Sequence, residues 1–327
     1  MMTISLVCTV RNEADNIAAL LDSMLAQTRL PDEIVVNDCG SHDATAAIVR
    51  GYAARDPRVR LVCGGHNIPS GRNSAVAQSS GAIIACTDAG LTLDPGWLAA
   101  IIAPLERGAA DLVGGFFAPA PESLFELVLG ATNYRDVGEV DPAKFLPFGK
   151  SMAFRRELWA QVGGFPAWAS HCEDLIFDRA AEESGYRRAF APAAVVRFRP
   201  RSSLRAFARQ YYLYARGDGA AGLWRRRHAA RYATYLGLAG ALAVMARMSA
   251  ARLPGLALIG AGVITYTRGP YRRLWGRLTD RSPAERAYAL CLVPIIRLVG
   301  DLAKMAGYPV GLARYRVRNR QQAAGNR

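Results

Sequence analysis

The six cysteines of this 327-residue chain (Cys8, Cys39, Cys63, Cys86, Cys172 and Cys291) include no CxxC pair, and its four histidines are equally scattered. Isolated residues of this kind offer no zinc site and no disulfide framework, and they fit reduced thiols. No internal repeat and no low-complexity run is present, which sets aside solenoids and compositional linkers. The apolar stretch Met1 to Val10 lacks a basic leading region and a cleavage site and runs directly into Arg11-Asn12-Glu13. It therefore reads as a buried strand rather than a signal peptide, and the chain is expected to stay in the cytosol. No glycine-rich triphosphate loop follows that strand, which argues against a nucleotidyltransferase.

Acidic residues are scarce in one place only. Up to residue 200 there are 18 Lys and Arg against 23 Asp and Glu; beyond it there are 23 against 4, so all of the formal charge of +14 lies in the C-terminal part. The arginines there alternate with uncharged apolar blocks, Tyr232 to Ala246, Leu253 to Thr267 and the shorter Ala287 to Ile296. Nucleic-acid modules pair basic stripes with stacking aromatics or a groove-reading helix, and that pattern is missing. A membrane surface is the better partner, with Arg225, Arg226, Arg227, Arg231, Arg272, Arg273 and Arg277 placed to meet phospholipid headgroups at roughly 1 kcal/mol each. Fifteen helical residues reach about 22 Å, short of a hydrocarbon core of about 30 Å, so interfacial or re-entrant helices on the cytoplasmic face are preferred to full spans. A small basic helical subdomain packed on the rest is the other reading of this segment.

What remains is a chain with 51% hydrophobic residues, ample for a large core. Apolar β-branched runs alternate with helical spacing: strands at Ile4 to Val10, Glu33 to Asn37, Val59 to Cys63, Ala82 to Thr87 and Asp111 to Phe117, with helices between them. That alternation predicts an α/β unit with a mostly parallel sheet covered on both faces, whose ligands bind outside the carboxyl ends of the strands. Polar residues gather at those ends: Thr9 to Glu13 after the first strand, Asn37 to Asp43 after the second, and Thr87 to Gly90 after the fourth. Between Ala118 and Lys150 the pattern loosens around Pro119, Pro121, Pro142 and Pro147, predicting a mobile substrate loop. Beyond Ser151, helices are expected at Arg155 to Val162, Asp174 to Ser184 and Ser203 to Ala215.

Five segments in order, SLVCTVRNE, IVVNDCGSHDAT, GRNSAVAQSSGAIIACTDAG, the GGF at Gly163 to Phe165 and CEDLIFDRAAEESGYR, resemble the motifs of glycosyltransferase family 2. The likeness runs from Ile4 to about Gly222. It implies a GT-A fold over residues 1–222, followed by a basic, apolar, membrane-associating segment over 223–327. It also implies an inverting enzyme that uses a nucleotide-diphosphate sugar and a divalent cation, Mg or Mn. By that resemblance Thr9 and Glu13 line the nucleoside pocket, Asp38 accepts a hydrogen bond from the base, and Arg72 lies at the same end. Asp88 takes the metal and the departing diphosphate, though the family's D-x-D is here Asp88-Ala89-Gly90, with Asp94 as a conceivable helper. Asp174 is the general base, supported by Glu173. The processive Q-x-x-R-W is interrupted, Leu213 and Tyr214 standing after Gln210, which implies transfer of a single sugar to a saccharide or lipid-linked acceptor.

Each acid also has a plainer reading. Asp38 suits an Asx turn before Gly40, Asp43 a helix N-cap, and Glu173-Asp174 the complement of a helix dipole. Arg72 suits a surface salt bridge. Arg209 and Arg216 fit a diphosphate contact or a solvated helix face, and Lys150 a donor contact or a loop end. The missing second aspartate leaves a catalytically idle, membrane-associated nucleotide-sugar-binding protein as the alternative function.

Overall fold

The structure, a computed structural model, describes residues 2–325. It falls into two compact units: residues 1–120 with 135–199, and residues 121–134 with the chain from 200 onward. Compactness thus divides the chain earlier than residue 222 and hands a short internal stretch to the C-terminal unit.

In the first unit the expected alternation is present: β1 (Ile4–Val10), α1 (Ile17–Leu25), β2 (Glu33–Asp38), α2 (Thr45–Ala53), β3 (Val59–Cys63), α3 (Ile68–Ala77) and β4 (Ile83–Asp88). These strands form because nearly every residue of ISLVCTV and IIACTD is buried, a pattern that only a sheet covered on both faces satisfies. Helix α1 buries Ile17, Leu20, Leu21 and Met24, the stripe its spacing predicts. Helix α3 starts at a capping box in which Asn67 and Ser70 satisfy each other's backbone amides.

The chain continues through β5 (Leu91–Leu93), α4 (Trp97–Glu106) and β6 (Leu112–Pro119), and then passes through α5 (Leu124–Asn133) in the other unit. It returns as β7 (Met152–Arg155), α6 (Arg156–Gln161), α7 (Glu173–Glu183) and β8 (Arg188–Phe198). All eight strands join one sheet in the order β3-β2-β1-β4-β7-β6-β8-β5. The first four are parallel, whereas β7 runs antiparallel to both β4 and β6, and β5 antiparallel to β8, so the sheet is mixed rather than mostly parallel throughout. Two expectations are corrected. Strands β7 and β8 occur in a region read only as helices, and the stretch read as a loop contains α5. Ser123 caps α5 by accepting from the Glu126 amide, and the buried Glu126 carboxylate accepts from the Glu122 amide, so a Ser-x-x-Glu start lies hidden among the prolines.

The second unit is helical: α5 with α8 (Leu204–Ala220), α9 (Arg225–Arg247), α10 (Arg252–Trp275) and α11 (Pro283–Gly325). Val128 and Leu129 of α5 pack with Phe207, Leu274, Leu292, Val293 and Ile296, which is why residues 121–134 belong here. Helices α9 and α10 outrun the fifteen-residue blocks seen in the sequence. Leu236, Leu253, Leu258 and Ile264 are 71%, 79%, 71% and 68% exposed, far beyond ordinary surface leucines. Among the described residues, one helix, Ser249–Trp275, is long and apolar enough to cross a membrane by length and composition.

One glycine fixes how α3 meets the sheet. A Cβ on Gly71 would lie 2.4 Å from Cys39 Sγ and 2.6 Å from Thr9 Cγ2, so the helix rests its backbone on the ends of β1 and β2. Gly71→Ala should therefore destabilise the protein by about 1–3 kcal/mol, the usual cost of overpacking, despite the better helix propensity of alanine. Urea unfolding checks this through a lower midpoint at an unchanged slope.

Candidate active site

Strands β1, β2 and β4 end side by side. Their register sets Thr9 beside Asn37 and Asp88, and Val10 beside Asp38, so Thr9, Asp38 and Asp88 share one edge of the sheet. The loops there are tied to each other. Asp38 is 5% exposed, and its Oδ1 accepts from the amide and hydroxyl of Ser41 at 2.9 and 2.7 Å, the Asx-turn geometry. Asp43 accepts from the amides of Thr45 (3.0 Å) and Ala14 (3.1 Å), binding the second turn to the first. Glu13 lies in the turn before α1: its amide donates to Thr45 Oγ1 at 2.8 Å, and its Oε2 accepts from Asn16 Nδ2 at 3.1 Å. Thr9 Oγ1 is a buried hydroxyl with no hydrogen-bond partner among the described residues.

Arg72 is not at the surface. Its guanidinium is 2% exposed and forks between two acids, Nη2 to Asp88 Oδ1 at 2.8 Å and Nη1 to Glu173 Oε1 at 3.2 Å. It lies over the Phe165 ring at 4.9 Å, and a Cβ on Gly149 would come within 2.5 Å of Nη2, so glycine there leaves room for the charge. Burial works against its positive charge, but Asp88 and Glu173 more than offset that, and its pKa is raised. The neighbouring Asn73 holds the frame. Its Oδ1 accepts from the Phe165 amide (2.8 Å) and Trp159 Nε1 (3.0 Å), and its Nδ2 donates to the Phe165 carbonyl (2.7 Å). The Arg-Asn pair thus sends one side chain to the acids and the other to the Gly163-Gly164-Phe165 turn.

Glu173 and Asp174 begin α7 as expected, and both are less acidic than usual. Burial, reinforced by Asp174, pushes Glu173 up to about 7; burial also raises Asp174, against the pull of Arg72. Asp174 is oriented by two amides, Leu175 to Oδ1 at 2.8 Å and Gly149 to Oδ2 at 3.2 Å. The sequence reading missed Asp178, one turn further along α7. It is 1% exposed, neither of its oxygens has a hydrogen-bond partner among the described residues, and burial raises its pKa strongly. The i, i+4 spacing from Asp174 was the available signal.

Two residues weighed from sequence have side-chain partners within the unit. Asp94 is held by Arg197 through two bonds of 2.7 and 2.9 Å, and Lys150 sits 5.1 Å over the Phe198 ring. Arg209 and Arg216 lie on α8 in the other unit. Among the described residues no three His, Cys, Asp or Glu side chains group as a metal cage. Asp88 offers instead one carboxylate, 29% exposed, with Oδ1 on Arg72 and Oδ2 outside that pair. A hard divalent cation that takes its other ligands from phosphate and water fits such a donor.

Two family models match: Glycosyl transferase family 2 over residues 5–162, and Glycosyl transferase family group 2 over residues 123–295, more than half of the chain. The chain belongs to the family 2 glycosyltransferases. It is similar to Glycosyltransferase AglE of Haloferax volcanii, 28% identical over 198 residues, 58% of this chain and 64% of the relative. It is also similar to the succinoglycan biosynthesis protein ExoA of Rhizobium meliloti, 28% identical over 220 residues, 63% and 66% of the two chains. The matches therefore span less than two thirds of either relative's length. Among solved structures, the mannosyltransferase PcManGT of Pyrobaculum calidifontis, in complex with GDP-Man and Mn2+, matches with a TM-score of 0.53 at 19% identity, over 95% of this chain and 86% of that one. At this identity the likeness is one of fold, the GT-A arrangement.

The raised pKa of Glu173 has a thermodynamic consequence. An acid that holds its proton more tightly when folded contributes stability below its unfolded value near 4.5, and loses it as pH rises through about 7. Stability should fall across that window in the parent protein and run flatter in Glu173→Gln. Urea unfolding of both proteins at several pH values measures the difference in slope.

Proposed function

We propose that this protein is an inverting glycosyltransferase that moves a single sugar from a nucleotide-diphosphate sugar to a hydroxyl of a membrane-linked saccharide or glycolipid. The observation that carries the reading is the Asp174 carboxylate, fixed by the Gly149 and Leu175 amides and linked through Arg72 and Glu173 to Asp88.

Transfer requires the acceptor oxygen to form a bond to the anomeric carbon as the bond to the diphosphate breaks, its electron pair leaving with the phosphate. Attack from the face opposite the leaving group inverts that carbon. Asp174 takes the hydroxyl proton. Helix N-termini favour a charged carboxylate and a weaker base, but burial outweighs that here and raises the proton affinity of Asp174. Arg72 holds Asp88 and Glu173 in place, and Glu173 shares the field that Asp174 works in. Thr9, Glu13 and Asp38 line the nucleoside end of the same sheet edge, with Asp38 pre-oriented by Ser41. A divalent cation, Mg or Mn, bound through Asp88 would supply neutralisation of the diphosphate charge. The interrupted Gln210 motif supports one transfer per encounter, and the exposed apolar faces of α9 and α10 support work at the cytoplasmic face of a membrane. No feature favours nucleic acid as a partner.

The idle-binding alternative draws on one observation, the lone Asp88 already paired with Arg72. Consumption of a panel of UDP, GDP and dTDP sugars in the presence of Mg2+ or Mn2+ separates the two. Asp174→Asn should lower turnover by about 10²- to 10⁴-fold, the usual contribution of a general base, with donor affinity within a few-fold of the parent. Donor binding with no turnover in the parent, or equal turnover in the variant, would favour the binding protein.

A further inference from the structure

The helical unit contains a polar layer that the proposed reaction does not use. Asp301 of α11 accepts from Arg231 Nε of α9 at 2.8 Å, from the Tyr235 hydroxyl at 3.1 Å and, more closely, from the Tyr266 hydroxyl of α10. One carboxylate therefore gathers three helices. The same face of α11, at spacings of four and three residues, carries Arg297 and Lys304 on either side of Asp301. The Arg297 guanidinium lies 4.0 Å over the Tyr266 ring and donates to the Tyr266 carbonyl, while its Nε is buried with no hydrogen-bond partner among the described residues. Lys304 Nζ lies 4.5 Å from the centre of the Tyr211 ring and donates to no oxygen among the described residues.

Of these three cations Arg231 bonds the carboxylate and lies 3.1 Å from His228 Nδ1, whereas Arg297 and Lys304 rest on tyrosine rings, and the oxygens of Asp301 already accept three hydrogen bonds. Burial, together with Arg231, pushes the Lys304 ammonium down to about 8. The layer lies at the base of the α9–α10 pair. From Leu236 through Met248 and back to Ile264, that pair exposes one large apolar side chain after another. A ligand with a phosphate at one end and hydrocarbon at the other matches both features.

We propose that Arg231, Arg297 and Lys304 form a site for the phosphate of an anionic lipid whose acyl chains lie against α9 and α10. This rests on the membrane association proposed above, not on the transfer chemistry. Phosphate suits the cluster because a planar guanidinium and an ammonium together present several donors to its oxygens, and the Tyr266 and Tyr211 rings hold the two cations in place in the meantime.

The test uses the full chain and its binding to vesicles of phosphatidylcholine alone, or with phosphatidic acid added, measured by flotation. The parent should bind the phosphatidic acid vesicles more tightly. Lys304→Gln and Arg297→Gln should each weaken that binding about fivefold, the loss of one near-surface cation, and leave binding to phosphatidylcholine unchanged. Lys304→Arg should retain the tighter binding, and Arg205→Gln, which removes an exposed charge of α8 outside the layer, should cost less than Lys304→Gln. Equal losses from Arg205→Gln and Lys304→Gln would reduce the effect to general surface charge and overturn the site. Equal binding of the parent to both vesicles would overturn it too, whereas binding to neither would sink the membrane reading itself. Inorganic phosphate at millimolar concentration should not release the bound protein; full release would assign the site to free phosphate instead. Thermal unfolding of each variant confirms that the helices remain packed.

Discussion

A guanidinium sealed from water must be neutralised where it sits, because the effective penalty for burying an ion is several kcal/mol. Arg72 meets that demand with Asp88 from the end of β4 and Glu173 from the start of α7, segments 85 residues apart in the chain. The converse demand is as strong. Asp88, Glu173, Asp174 and Asp178 crowd a half-dry crevice: Asp88 raises the proton affinity of Glu173 and Asp174, and Asp174 that of Glu173 and Asp178. Arg72, fixed between Asp88 and Glu173, offsets that repulsion at its centre. The glycine at 149, the Phe165 ring and the Asn73 clamp all serve to keep that cation where it is.

This arrangement gives two neighbouring acids different characters. Asp88 keeps 29% of its side chain exposed and one oxygen outside the ion pair, the environment of a charged ligand. Asp174 is held by amides and shifted upward by burial, the environment of a proton acceptor. Under the reaction proposed above, environments that separate like groups in this way would let one crevice stabilise a leaving anion and accept a proton at the same pH. A second acid, Glu173, reaches the crevice from α7 and meets Asp88 through Arg72.

What the sequence disclosed follows from how each segment is buried. Strands β1, β2 and β4 were legible because both of their faces are covered, which demands unbroken runs such as Ile4 to Val10. Strand β8 was not, because RAFAPAAVVRF carries Pro192 and alternates buried with exposed positions, and β7 is only four residues long. Helix α5 was masked by Pro119 and Pro121, although its Ser123-x-x-Glu126 start was in view. At the site, the strand-end residues could be placed together from topology alone. The burial of Arg72 could not, since an arginine beside a helix start reads equally as surface, and its partners lie 16 and 101 residues away. Asp178 was missed for the same reason: an acid in a charged helix looks solvated until the packing of Phe177 and Ala181 beside it is known.

The C-terminal charge, which the sequence shows as arginines alternating with uncharged apolar blocks, is layered in the helical unit. Arg231 and Arg247 bound the uncharged stretch of α9, and Arg252 and Arg268 that of α10; each pair is sixteen residues apart, about 24 Å of helix. Gly255 meets Met245 near the far end, and Tyr235 and Tyr266 meet Asp301 near the other, so the two helices run as a pair between an outer and an inner arginine level. A separation of about 24 Å is somewhat less than a hydrocarbon core of about 30 Å, and arginine stems can make up the difference by reaching toward headgroups. The same spacing also suits a pair lying in the interface with its apolar side down. Under the membrane association proposed above, either placement would bring the inner level, which carries Arg231, Arg297 and Lys304, to the depth of lipid phosphates, and that common requirement makes the inner level the informative part of the helical unit.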